Sequence, residues 1–174
     1  MHVLDTARLR LRTLTLDDAG IYLQVMNTPL FHRWIGDRQI RSEAQAREAL
    51  AVGPLTMQSM RGYSLYLVER KSDDAVIGMC GLIKRETLQD VDLGYAYLPA
   101  YAGQGYATEA AAGVLAHARR LGLRRVVAIT SPGNDASDAV LRKVGMRFEK
   151  IVKLTAEDKG TQLFAIEFGP ARDA

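Results

Sequence analysis

Residues 8–13 read Arg-Leu-Arg-Leu-Arg-Thr, the period-two alternation of a half-buried strand. Thr15-Leu16-Asp17-Asp18 follows as a cap with acidic residues in the first turn, predicting a helix to about Met26 that Asn27-Thr28-Pro29 breaks. The segment 30–37 carries Phe31 and Trp34. A second helix starts after the cap Ser42, reaches about Val52 and resumes over 55–60 beyond Pro54. The pattern then turns strand-like over 63–69, 75–83 and 91–98, with Lys71-Ser72-Asp73-Asp74 closing the first two into a hairpin. In the helix predicted at 107–121, Ala111, Val114, Leu115, Ala118 and Leu121 share one face, as in a helix packed on a sheet, and Gly122 stops it. A strand at 125–130, a helix at 135–144 and strands at 147–154 and 162–168 complete the pattern. Gly160 can supply the positive φ of the turn between the last two strands, and 170–174 is expected to fray.

No linker, repeat or low-complexity stretch interrupts this order, so the expectation is one α/β domain over 1–174, with an ordered core over about 6–169. At 174 residues, 48% hydrophobic and 25% charged, the chain can bury a sizeable core. It contains no run of eighteen apolar residues, and residues 1–12 are charged rather than signal-like, which points to the cytoplasm and away from a membrane. Cys80 is the only cysteine and lies in the apolar stretch 76–83, the setting of a buried core thiol. His2, His32 and His117 have no ligand spacing with it or with one another, so no metal site is expected. A net charge of +3 is too small to argue nucleic-acid binding, and DNA is not an expected partner. Arg119, Arg120, Arg124 and Arg125 gather around a helix end, where cations complement the dipole.

The chemistry concentrates between Tyr101 and Glu109, in Tyr-Ala-Gly-Gln-Gly-Tyr-Ala-Thr-Glu, at the junction of an aromatic-rich strand and an alanine-rich helix. Gly103 and Gly105 permit positive φ and carry no Cβ, so several amides can converge at the positive end of the helix dipole, a place suited to phosphate. A dinucleotide fold would need a third glycine where Thr108 stands and an acidic residue closing the next strand, which instead ends in Thr130-Ser131. A Walker-type loop would need Gly-Lys-Ser/Thr where this chain has Gly105-Tyr106-Ala107.

The loop resembles the fingerprint of the GNAT superfamily of acetyl-CoA-dependent N-acetyltransferases, Gln/Arg-x-x-Gly-x-Gly/Ala, over its last four positions, with Ala102 standing where Gln or Arg is usual. The extended string Gly103-Gln104-Gly105-Tyr106-Ala107-Thr108-Glu109-Ala110 resembles the RimJ/RimL branch, named for enzymes that acetylate ribosomal-protein N-termini. Leu9-Arg10-Leu11-Arg12 with Asp17-Asp18, Ile77-Gly78, Asp92-Leu93-Gly94-Tyr95, Asn134-x-x-Ser137 and Lys143-Val144-Gly145-Met146 are similar to that branch in its order. The resemblance implies an α+β fold with a mixed, mostly antiparallel sheet of about seven strands flanked by helices and splayed between its two central strands.

It further implies acetyl-CoA as co-substrate and an amine, either a protein N-terminus or a small molecule, as acceptor. Pantetheine would pair with backbone around Ala96, Tyr97 and Leu98, pyrophosphate would sit on amides of Gly103, Gln104, Gly105, Tyr106, Ala107 and Thr108, and Asn134 would contact pantetheine or cap its helix. Asp92 is the preferred general base, with a structural bond to a neighbouring loop or to Arg85 as its other reading and Glu86 as the alternative base. Ser137 would protonate or hydrogen-bond the leaving sulfur, against a plain capping role. Tyr95, Tyr97, Tyr101 and Tyr106 surround the site in sequence; most read as packing, Tyr97 as a cofactor wall. Trp34 and Arg85 are the candidate acceptor contacts, and Arg142 and Lys143 offer basic surface for the donor's phosphates. A homodimer is compatible with these residues, and a catalytically silent acyl-CoA-binding or regulatory module on the same fold is the alternative function.

Overall fold

The computed structural model describes residues 1–169, so the fraying expected for 170–174 lies outside the described residues. The elements in chain order are β1 (His2–Asp5), β2 (Leu9–Thr13), α1 (Ala19–Met26), α2 (Pro29–Trp34), α3 (Glu43–Leu50), α4 (Thr56–Arg61), β3 (Leu65–Arg70), β4 (Ala75–Ile83), β5 (Val91–Tyr97), α5 (Tyr106–Arg120), β6 (Arg125–Thr130), α6 (Asp135–Lys143), β7 (Arg147–Val152) and β8 (Thr161–Glu167). The strands form one sheet in the order β1-β2-β3-β4-β5-β6-β8-β7. Every neighbouring pair is antiparallel except β5 and β6.

Eight strands stand where about seven were expected. The extra one, β1, is four residues long and buries only Leu4, so its alternation is too short to detect by period. It is an edge strand that pairs with β2 alone. The second difference is α2. Thr28-Pro29 ends α1 and also starts α2: the Thr28 hydroxyl accepts from the Phe31 amide at 3.2 Å, and Pro29 fills the first helical turn, where a missing N–H costs nothing. Pro54 does not part α3 from α4 either. A π turn over Ala51–Leu55 carries the chain past it, a wider turn that tolerates the lost donor.

The sheet has two coated faces. On one, α5 buries Ala110, Ala111, Val114, Leu115 and Ala118 against Leu11, Val68, Cys80, Leu82 and Phe164. The three alanines let the helix axis sit close, while Val114 and Leu115 each contribute about 2 kcal/mol of apolar burial. On the other face, Tyr22, Val25, Phe31 and Leu50 of α1, α2 and α3 cover Leu67 and Met79. Arg12 fixes that second layer. Its guanidinium donates to both Asp18 oxygens at 2.9 and 2.8 Å and, through Nε, to Glu69 at 2.7 Å, joining β2, the start of α1 and β3.

Pairing between β5 and β6 is limited to Val91 with Val126 and Asp92 with Val127. Beyond that point β5 stays with β4 as far as Tyr97 and β6 stays with β8 as far as Thr130, so the two strands part. The sheet therefore has a gap at its centre, bordered by backbone that has no strand partner on that side.

Candidate active site

Backbone direction in β5 follows from one bond. The Leu98 amide donates to the Ile77 carbonyl at 2.9 Å, so in this antiparallel ladder the even-numbered residues 92–98 direct N–H and C=O toward β4. Leu93, Tyr95 and Tyr97 direct theirs into the gap. Of the three positions expected to meet pantetheine, only Tyr97 faces it with its main chain. Ala96 turns to β4, and Leu98 has both groups engaged, its carbonyl accepting from the Tyr101 amide at 3.0 Å.

The side chains follow the same alternation. Tyr95 and Tyr97 pack beneath α5 and α6, while Ala96 and Leu98 pack on the layer of α1 and α3. The Tyr97 hydroxyl is buried without a hydrogen-bond partner. Its neighbour Cys80 is a buried thiol pushed up to about 12 by loss of solvation.

Asp92 stands where β5 and β6 separate and is 1% exposed. Arg85, on the loop after β4, donates from Nε to Oδ2 at 2.6 Å, whereas Oδ1 is buried with no partner. Burial pushes the carboxyl up to about 6, against the opposing pull of the Arg85 charge and hydrogen bond and of the neighbouring Ile129 amide. The two sequence readings of Asp92 are therefore compatible: Arg85 anchors one oxygen, while the other has no partner in hydrogen-bond geometry and the Ile129 amide is the weakest of the influences on the carboxyl. Glu86 is exposed on the same loop.

Ser137 occupies the first turn of α6, on the opposite face of the sheet. Asn134 caps that helix, its Oδ1 accepting from the Ser137 amide at 3.3 Å. With the backbone satisfied, the Ser137 hydroxyl lies 2.8 Å from the Tyr95 hydroxyl. Sequence reasoning gives Tyr95 chiefly as packing. The available signal is its place on the strand that carries Asp92, on the face it shares with Tyr97, and that spacing names no partner on a helix 42 residues away.

The loop after β5 has the predicted form. Gly103 and Gly105 take φ of 72° and 80°, and Gly105 is the N-cap of α5. Glu109 is the first residue of that helix whose amide bonds back, to the Gly105 carbonyl at 3.1 Å. Tyr106, Ala107 and Thr108 precede it, so their amides have no intrahelical acceptor. Those three donors stand at the positive end of the α5 dipole, next to the two positive-φ glycines, a setting suited to an anion.

Trp34 ends α2 and is half-buried, its ring under the Arg33 guanidinium at 4.6 Å. Its carbonyl accepts from the Ser131 hydroxyl at 3.0 Å, so α2 is tied to the turn between β6 and α6. Trp34 is thus tied by its carbonyl to the turn after β6, and Arg85 by its guanidinium to Asp92 on β5. Among the described residues no three His, Cys, Asp or Glu side chains are grouped to hold a metal ion, and no helix is long and apolar enough to cross a membrane.

Known proteins resemble this chain in sequence and in fold. Residues 8–147 match the family described as acetyltransferase (GNAT) domain. YoaA of Bacillus subtilis (strain 168), an uncharacterized N-acetyltransferase, is 27% identical over 161 residues, covering 91% of this chain and 90% of its own. In fold, the chain is similar to an acetyltransferase from Agrobacterium tumefaciens str. C58, with a TM-score of 0.80 at 23% identity over 95% of this chain and 94% of that one. It is similar also to RimL, a ribosomal L7/L12 alpha-N-protein acetyltransferase in complex with coenzyme A, with a TM-score of 0.83 at 20% identity over 96% and 98%. The matched domain spans the amide loop, the parted strands and the Asn134 cap alike, and by it this chain is a member of the GNAT acetyltransferase family.

Proposed function

We propose that this chain is an acetyl-CoA-dependent amine N-acetyltransferase of the RimJ/RimL kind, working in the cytoplasm and moving acetyl directly from the thioester to an N-terminal α-amine. The observation that carries this reading is the unpartnered Asp92 Oδ1, buried at the point where β5 and β6 part. A buried acceptor with no donor is costly unless a bound group supplies one, and an incoming amine does so.

The amine enters past Trp34 and Arg85, and its proton passes to Asp92, directly or through a water, as the nitrogen attacks the thioester carbonyl. The N–C bond forms, the C–S bond breaks, and the sulfur takes a proton from the Ser137 hydroxyl. Tyr95 hydrogen-bonds Ser137 and can pass it a proton, with solvent restoring the tyrosine's proton and taking up the one left on Asp92 before the next turnover. Amides of Tyr95 and Tyr97 hold the pantetheine arm, and those of 103–108 hold the diphosphate.

Basicity favours the α-amine. With the Asp92 carboxyl near 6, taking a proton from an α-amine near 8 costs about 3 kcal/mol, but from a lysine near 10.4 about 6 kcal/mol. The acetyltransferase named for ribosomal L7/L12 acts on an α-amine and is similar in fold, which supports the same choice.

Incubation with acetyl-CoA and a panel of N-terminal peptides, polyamines and aminoglycosides, followed by free thiol release, tests the reading. Turnover is expected with N-terminal peptides, and none with any amine would sink it. Calorimetric binding of acetyl-CoA without transfer would instead indicate a silent acyl-CoA-binding module.

A further inference from the structure

Ala102 leaves the amide loop without the basic or amide side chain usual at the start of the motif, yet a guanidinium reaches the loop from the other end of the chain. Arg8, in the turn between β1 and β2, donates through Nη1 to the Gln104 carbonyl at 3.0 Å and through Nε to Glu109 Oε2 at 2.7 Å. Its amide donates to Glu109 Oε1 at 2.7 Å, and Thr6 adds a hydroxyl bond to the same oxygen at 2.6 Å. The guanidinium also lies over the Tyr106 ring at 4.4 Å. A Cβ built on Gly105 would meet Arg8 Nη2 at 3.4 Å, so the side chain backs directly onto the loop.

Two consequences follow from bonding geometry and charge. In a trans peptide, C=O and N–H point to opposite sides, so an Arg8 bond that holds the Gln104 carbonyl on one side turns the Gly105 amide to the other. Glu109 sits in the first turn of α5, where an unpaired carboxylate would compete with an anionic ligand for the dipole end. Arg8 cancels that charge.

We propose that Arg8 is a positioning residue for the donor, aiming the Gly105 amide and neutralising Glu109 beneath the diphosphate cradle in place of the side chain that Ala102 lacks. This rests on the reading of 103–108 as that cradle. The Arg8 side chain bonds the amide loop and the first turn of α5, so its effect is expected to be confined to donors that carry phosphate.

The test compares coenzyme A affinity, and the KM for acetyl-CoA and for S-acetylpantetheine, in the wild type, Arg8→Ala and the double variant Arg8→Ala/Glu109→Gln. Arg8→Ala is expected to weaken coenzyme A binding and raise the KM for acetyl-CoA about tenfold, the scale of one charge-assisted hydrogen bond. S-acetylpantetheine, which has no diphosphate, should be used equally by variant and wild type, and the double variant should recover part of the loss. Unchanged coenzyme A affinity in Arg8→Ala, or equal losses with both donors, overturns the proposal. If Arg8→Ala does not fold, Arg8→Lys is read by the same donor comparison, because lysine keeps the charge but cannot fork between Gln104 and Glu109. A wild type that does not bind coenzyme A would remove the cradle itself, whereas binding that Arg8→Ala leaves unaltered removes only the role of Arg8.

Discussion

Tyr95 of β5 and Ser137 of α6 meet hydroxyl to hydroxyl at 2.8 Å, and the Tyr95 hydroxyl also lies 3.3 Å from the Ser137 carbonyl. This contact joins the strand bordering the central gap to the helix that opens beside it. Because Asn134 already satisfies the Ser137 amide, the serine hydroxyl is held by Tyr95 alone among the described residues.

Tyr95→Phe removes that hold without changing the ring. The expected result is a kcat about fivefold lower with donor KM unchanged, matching a hydrogen bond of about 1 kcal/mol. Ser137→Ala should lower kcat further while unfolding at nearly the wild-type temperature. Steady-state kinetics with thermal melts checks both, and full activity in Ser137→Ala would return that residue to a structural role.

With the Asp92 carboxyl near 6, kcat/KM should fall as pH drops below about that value, where the base becomes protonated. Asp92→Asn should be slow at all pH values and lack this acid limb. An unchanged pH–rate profile in Asp92→Asn would exclude Asp92 as base.

The same raised carboxyl has a stability consequence of opposite sign to an ordinary ion pair. The folded chain takes up a proton near pH 6 that the unfolded chain takes up only near 4, so Asp92 makes the fold more stable as pH falls across that window. Denaturant melts at several pH values, with Asp92→Asn as the reference lacking this contribution, would read it.

Arg85 lowers the Asp92 carboxyl, so Arg85→Gln should move the acid limb to higher pH while the fold persists. A limb that stays in place would show that the Arg85 bond does not govern the base.

Arg12→Met removes the fork between Asp18 and Glu69, leaving the largely buried Asp18 carboxylate without its cation and Glu69 with only the more distant Arg10 at 3.8 Å. A loss of about 2 kcal/mol is expected in urea unfolding, less than for a fully buried pair because Arg12 keeps some contact with solvent. Donor affinity should hold, since the fork lies away from the amide loop.

Much of the fold is legible along the chain because periodicity is local. The alternation of Leu9 and Leu11, the helical face from Ala111 to Ala118 and the glycines of the loop each announce their element within a few residues. The misses have the same explanation. β1 is too short to show a period, and Thr28-Pro29 reads equally as a helix stop and as the cap and first turn of another helix. Ala96 and Leu98 stand beside Tyr97 as expected backbone contacts, but strand alternation gives the gap to Tyr95 and Tyr97.

Residue order is enough to set the elements, their approximate bounds, the positive-φ loop at a helix N-terminus and the presence of Asp92 and Ser137 near the same strand and helix starts. Three-dimensional packing is needed for the rest: β5 and β6 pair at only two positions, Asp92 keeps one oxygen free while Arg85 holds the other, and Tyr95 finds Ser137. Packing likewise brings Arg8 to Glu109 across 101 residues of chain. Backbone and apolar patterns act over a turn or a strand, whereas a polar partner so distant in sequence is selected only when the sheet and its helices bring the two groups within hydrogen-bonding distance.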